Sequence, residues 1–262
     1  IPLKTGLEEL FSIWNLESRE RNGFKIYDKK IYIPNILVKI NGTYNNTETY
    51  WNKMLELLKV KDGFILLIDM FPISKPKEEK IDYKGLINKN GYINIEKMRK
   101  SSFYNLSFLK TSLQENILLK INEIIDKKIL IYGNDYNFKI KIIKTIFSLD
   151  KKILNLLQIF DYPFYIPKIV IYDNTEKILS EEDCITIVIL HSLGIDIALI
   201  TPSGYNNIEN YVNKNFIDFQ NLEKLKFDLN YSKKVKKYLT NSKLIVKKTL
   251  SYHLKEYFKK YN

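Results

Sequence analysis

Apolar residues first recur at helical spacing at Leu7, Leu10, Phe11 and Trp14. Thr5 and Glu8 stand ahead of them in capping-box positions, and the pattern predicts a helix ending near Asn22-Gly23. Two strand patterns follow, Phe24–Tyr27 and Lys30–Ile40, joined by Asp28-Lys29 as a short turn. Thr47–Lys59 reads as a helix with Tyr50, Met54 and Leu57 on one face, and Phe64–Ile68 as a buried strand. Residues 70–92 break the periodicity: Pro72, Pro76 and the charged stretch Lys75–Lys80 predict a surface loop or linker. Ser112–Asp126 is again helical, with Ser112 and Glu115 as a second capping box and Leu113, Ile117, Ile121 and Ile124 on one face.

From there the pattern is regular. Lys128–Tyr132 predicts a short strand ending in Gly133-Asn134-Asp135, followed by a helical region over 136–160 broken near Asp150. Lys168–Tyr172 is the next strand, ending in Asp173-Asn174-Thr175. Ser180 and Asp183 cap a helix that Gly194 closes, and Asp196–Ile200 runs as a strand into Thr201-Pro202-Ser203-Gly204. Strands alternating with helices of this length imply crossover units and a parallel sheet. The expected fold is therefore α/β: a Rossmann-like parallel sheet flanked by helices in the C-terminal part, with an α+β N-terminal part. The expected division is residues 1–75, a linker or loop region over 76–110, and a Rossmann-like domain over 111–262 that includes a C-terminal helix.

Composition narrows the class. The chain has 262 residues, 45% hydrophobic and 13% aromatic, ample for a core and unlike a disordered chain. No apolar run approaches the roughly 20 residues of a membrane-spanning helix. No signal peptide is visible at Ile1-Pro2-Leu3-Lys4, and the missing initiator Met is read as a chain cut from a longer one. Cys184, the single cysteine, excludes an internal disulfide and a cysteine-based zinc site and reads as a buried thiol, so a cytoplasmic location is expected.

The net charge of +12 invites a nucleic-acid or membrane reading. It is carried almost wholly by lysine, with Arg19, Arg21 and Arg99 the only arginines, in a chain rich in Ile, Lys, Asn and Tyr whose one alanine is Ala198. That bias follows from AT-rich coding, and the scarcity of arginine argues against nucleic acid. The Lys243–Tyr261 tail reads as a basic amphipathic helix that docks its apolar side or touches an anionic surface.

Candidate chemistry lies where parallel sheets bind ligands, beyond the carboxyl ends of the strands. Thr201-Pro202-Ser203-Gly204-Tyr205-Asn206 is read as a turn into a helix, offering backbone N–H groups and a hydroxyl to a phosphate or carboxylate. Equally, it is an ordinary strand-to-helix turn capped by Asn206. Asp173 is either a functional carboxylate or a cap for the turn with Asn174. Asp196 begins its strand at the opposite end and reads as structural. Arg19 and Arg21 could clamp an anion, or pair at the surface with Glu17 and Glu20. His191, late in an apolar helix, reads as a packing residue, and His253 as an exposed one. No zinc site or serine-type triad can be assembled; carboxylate-bound Mg²⁺ stays open.

Several segments together resemble the YceG-like family of bacteria: Phe160-Asp161, Ile166–Tyr172, Leu179–Asp183, Leu193–Ile197 and Thr201–Glu209. Ile13-Trp14-Asn15, Arg19–Phe24 and Val38–Gly42 fit the same pattern, which covers most of residues 7–215. The resemblance implies a component of the biosynthetic module encoded beside bacterial tellurium-resistance (TerD-type) genes. Neighbours in that module are predicted to make or process a nucleotide-like metabolite during stress. Family members tend to be longer than this chain, and the resemblance brings no catalytic residues with it. The resulting expectation is a nucleotide-like or sugar-phosphate ligand at the strand ends, bound for a transferase reaction or without catalysis. Ser203, Gly204, Asn206 and Thr201 would hold its anion, and Asp173 and Asn174 a sugar or metal. The alternatives are a non-catalytic scaffold for other module proteins and a basic nucleic-acid binder.

Overall fold

The computed structural model describes residues 2–241 except 29, 61–62, 74–82, 84, 132–134, 161–163 and 177. Within these residues one parallel sheet holds β1 (Pro2–Leu3), β4 (Asn35–Asn41), β5 (Ile65–Ile68), β6 (Lys168–Tyr172), β7 (Asp196–Thr201) and β8 (Asp218–Asn221). The order is β1-β4-β7-β6-β5, with β8 also pairing β4, so β1 and β8 share one edge position. β2 (Lys25–Tyr27) and β3 (Lys30–Tyr32) form a separate antiparallel hairpin.

Side chains alternate across the sheet because successive residues of a strand face opposite ways. Ile36, Val38 and Ile40 of β4, Val170 and Tyr172 of β6 and Ala198 and Ile200 of β7 face α1 (Leu7–Trp14) and α2 (Thr47–Leu58). Leu37, Ile169, Ile171, Ile197 and Leu199 face α4 (Thr111–Asp126), α5 (Tyr136–Ile146), α6 (Lys151–Gln158) and α7 (Glu181–Ser192). Both faces are covered, which is why apolar residues fill consecutive positions at 36–38 of β4, 169–172 of β6 and 197–200 of β7 instead of alternating with polar ones. Ala198 pairs with Val38 on one side and Val170 on the other, so the one alanine sits at the sheet's centre.

The structure corrects several expectations. The Lys30–Ile40 run is two strands, because Pro34 cannot donate to a ladder and parts β3 from β4. The first helix stops at Trp14, and its N-cap is Gly6, whose N–H donates to the Glu9 carboxylate at 3.4 Å, while Thr5 donates its N–H and hydroxyl to Asp218 at 3.0 and 3.1 Å. Ser112 caps nothing, α4 starting one residue earlier behind Lys110. Residues 128–131 are no sheet strand: Leu130 makes one antiparallel bridge to Val212, and Tyr132 to Asn134 lie outside the described residues. The parallel sheet joins β4 and β5, from before residue 75, directly to β6 and β7. The 76–110 region contributes α3 (Ile95–Arg99) and buried Leu86, Ile93, Met98, Leu106 and Leu109, so the loss of periodicity there is not a gap in the core. The expected break near Asp150 is present, where the Asp150 carboxylate accepts from the Lys152 N–H and caps α6. Lys243–Tyr261, with His253, lies outside the described residues.

Candidate functional site

The carboxyl ends of β4, β6 and β7 meet over a buried polar network. Lys39, in the middle of β4, faces the α4–α7 side of the sheet, where Leu37 on its own strand and Leu199 and Ile171 along its row are apolar. Its ammonium is fully buried and bonds Glu209 Oε1 at 2.6 Å and the Tyr205 carbonyl at 2.8 Å. Burial lowers the Lys39 pKa, opposed by the hydrogen bond and charge of Glu209. Glu209 Oε2 accepts from the Asn207 N–H at 3.0 Å. The Asn207 amide donates to Asp173 Oδ2 at 2.7 Å and reaches Thr201 Oγ1 at 3.4 Å. Asp173 Oδ1 takes the N–H and hydroxyl of Thr175.

The chain reaches this arrangement because β7 and β8 are joined without a helix. Residues 202–217 descend beside β4 through two short 3₁₀ turns, Ile208–Asn210 and Lys214–Phe216, anchored by buried Ile208, Val212 and Ile217. The turn after Ser203 therefore opens no α-helix, and the residue at its 3₁₀ cap is Asn207, not Asn206. This corrects the expected helix N-terminus.

Residues 222–231 then cross the carboxyl edge. Thr43 and Lys224 exchange backbone hydrogen bonds at the end of β4. The Lys226 N–H donates to the Pro202 carbonyl at the end of β7. Tyr172 Oη and Asn174 Nδ2, at the end of β6, donate to the Leu229 carbonyl at 2.5 and 3.5 Å. Tyr231 Oη donates to Asp69, just past β5, at 3.2 Å. Tyr231 also packs 4.7 Å from the Tyr172 ring, and both rings lie 6.0 Å from Trp51. Two glycines let the strap lie this close. A Cβ on Gly42 (φ +82°) would fall 2.7 Å from the Lys224 carbonyl oxygen, and one on Gly204 (φ +65°) 2.7 Å from Leu225 Cδ2.

Of the residues expected at the site, Asp173, Thr201 and Ser203 are buried, Gly204 and Asn174 half-buried and Asn206 exposed. Asp173 and Thr201 meet in the network, and Ser203 Oγ accepts from the Tyr205 N–H at 3.3 Å. Arg19 and Arg21 do not act together. Exposed Arg19 pairs with Glu17, while Arg21 grips Asp196 at 2.8 and 2.6 Å in full burial at the opposite edge of the sheet. Among the described residues, no group of three or more His, Cys, Asp or Glu could hold a metal ion, and no helix is long and apolar enough to cross a membrane. Burial pushes the Cys184 thiol up, which fits an inert packing residue.

Lys39 and Glu209 escaped the sequence reading. A lysine within an apolar strand was the available signal, since buried charge needs a partner. Lys39→Met should cost about 2 kcal/mol in denaturant unfolding, by stranding the Glu209 carboxylate under the edge. Glu209→Gln should cost less than Lys39→Met, because the amide keeps an acceptor for the ammonium; equal losses would count against the pairing.

The YceG domain family model matches residues 4–256. A curated relative, "Uncharacterized protein YceG" of Bacillus subtilis (strain 168), is 27% identical over 236 residues. That match covers 88% of this chain but 44% of the relative, so the chain spans less than half the relative's length. No solved structure matches the chain.

Proposed function

The chain belongs to the YceG domain family, and from that premise we propose that the carboxyl edge of its sheet binds a nucleotide-like or sugar-phosphate ligand. The observation that carries this reading is the buried Lys39–Glu209–Asn207–Asp173 network beneath three adjacent strand ends. A fold gains little stability by burying such groups in place of apolar ones, and open parallel sheets bind ligands at this edge. Two carboxylates and one ammonium leave the network one negative charge in excess. It therefore suits sugar hydroxyls, or a phosphate carried with Mg²⁺, at Asp173 and Asn174. Ser203, Gly204 and Asn206 would meet the anion, with Lys224 and Lys226 of the strap supplying positive charge. The all-parallel order and the helices on both faces support a Rossmann-like reading of the sheet. On the family resemblance, the protein is a cytoplasmic component of a tellurium-resistance and stress-associated biosynthetic module, and a transferase is the activity that fits such a ligand.

Thermal shift against nucleotides, nucleotide-sugars and sugar phosphates, with and without Mg²⁺, tests this directly. A ligand at 100 times its Kd should add about 2.7 kcal/mol, and Ser203→Ala should remove that gain while leaving the unliganded protein folded. A flat screen on folded protein would count against the ligand site. It would favour the second reading, a scaffold for module proteins, which rests on Leu225 and Phe227 being 58% and 57% exposed on the strap. Co-purifying module proteins should then be lost in Leu225→Ser and Phe227→Ser.

A further inference from the structure

Beside the helical layer, the end of α4, residues 128–131 and α5 line a half-open pocket of about 210 Å³. Ile124, Leu130, Ile131, Phe138 and Ile142 supply its apolar lining, and among the described residues Lys128 is the one charged residue that lines it. We propose that this pocket binds a short apolar carboxylate, an alkanoate of about eight carbons or an aryl acid of similar size, with Lys128 pairing the carboxylate.

An apolar cavity of 150 Å³ engineered into another protein takes up benzene, so a pocket of about 210 Å³ has room for a ring or short chain with more atoms. Lys128 settles the polar end of the ligand. It is exposed at the pocket and, among the described residues, has no ion pair, whereas adjacent Lys127 pairs with Glu123. A neutral apolar guest would leave that ammonium unused; a carboxylate engages it while its tail fills the pocket. The 128–131 segment is also held in place: the Ile131 N–H donates to the Tyr211 carbonyl at 2.8 Å, and the Asn213 N–H to the Ile129 carbonyl at 2.9 Å. The site is thus bounded by anchored backbone on one side and two helices on the other. None of its lining residues belongs to the network at the carboxyl edge.

The test is a methyl-detected NMR titration of the full chain with butanoate, hexanoate, octanoate and 1-octanol. The Ile124 and Ile142 methyl signals should shift first, and affinity should rise about fourfold per added methylene until the pocket is full. Octanoate should bind about threefold to fivefold tighter than 1-octanol, the scale of an exposed ion pair, and Lys128→Met should erase that preference. Ile131→Trp, at a rim position 52% exposed, should block octanoate while leaving the melting temperature unchanged. Octanoate at millimolar concentration that leaves these methyls unshifted would overturn the proposal. So would binding that survives Ile131→Trp, or a carboxylate preference that survives Lys128→Met.

Discussion

Asp196→Ala should lower the unfolding free energy by about 3–5 kcal/mol, the usual loss when one partner of a buried ion pair is removed. Against a total stability of about 5–15 kcal/mol for a domain, that is enough to leave the variant partly unfolded. Asp196 opens β7 with its side chain fully buried. Both its oxygens are gripped by Arg21, Oδ1 also takes the Ile36 N–H at 2.9 Å, and Lys168 stands 3.8 Å away. Removing the carboxylate strands two buried cations at once. Lys168 keeps the Ile166 carbonyl at 3.0 Å, and Arg21 keeps the Pro34 carbonyl at 3.1 Å. Neither neutralises charge, and burial already lowers the Lys168 pKa. Denaturant unfolding at neutral pH measures the loss. Adding Arg21→Met to Asp196→Leu should recover much of it, because an apolar pair is often no less stable than a buried ionic one. A loss below about 1 kcal/mol in Asp196→Ala, the scale of a surface pair, would mean that water reaches the cluster.

Much of the fold was legible because its signals are local. α7 begins where Ser180 was expected to cap it, with Ser180 Oγ accepting from the Asp183 N–H at 3.0 Å. β6 and β7 lie where unbroken apolar runs put them, since a strand covered on both faces has no polar side. What failed was local chemistry outbid from a distance. Thr5 had the right spacing for a cap, but its hydroxyl went to Asp218, 213 positions along the chain. Residues 128–131 had the composition of a strand but found no place in the sheet, because β4 and β5 from the N-terminal part already flank the β6–β7 pair.

The site divides in the same way. Asp173 and Thr201 were visible because a strand end followed by turn residues is a sequence feature. Lys39 was not, because its partner Glu209 lies 170 residues away, and the strand gives no hint of which loop supplies it. Arg21 shows the converse. In sequence it looked like half of an anion clamp with Arg19 or a surface partner of Glu17 and Glu20, yet its partner Asp196 is 175 residues on. Pairings of this kind are decided by which strand ends become neighbours, and periodicity does not report that.

Acid should destabilise the protein through His191 well before its carboxylates titrate in full. The ring lies inside α7, 2% exposed, edge-on to Phe216 at 5.1 Å, and neither of its nitrogens makes a hydrogen bond of good geometry. Burial holds its pKa down at about 3, against 6.5 for an unhindered histidine, and nearby Asp196 offsets this only in part. Between those two values the unfolded chain binds a proton that the native state refuses. The contribution of His191 is thus fully present above pH 6.5 and is lost as pH falls towards the folded pKa. Each pH unit in that window is worth about 1.4 kcal/mol, so about 2–3 kcal/mol should be gone at pH ~4.5. His191→Leu keeps an apolar group in the space and removes the titration. Denaturant midpoints for both proteins, taken from pH 7 down to 4.5, isolate the effect because every other group cancels in the difference. The variant should gain on the wild type steadily as the pH drops. A difference that stays constant across the range would mean that His191 is protonated as readily in the native state as in the unfolded one.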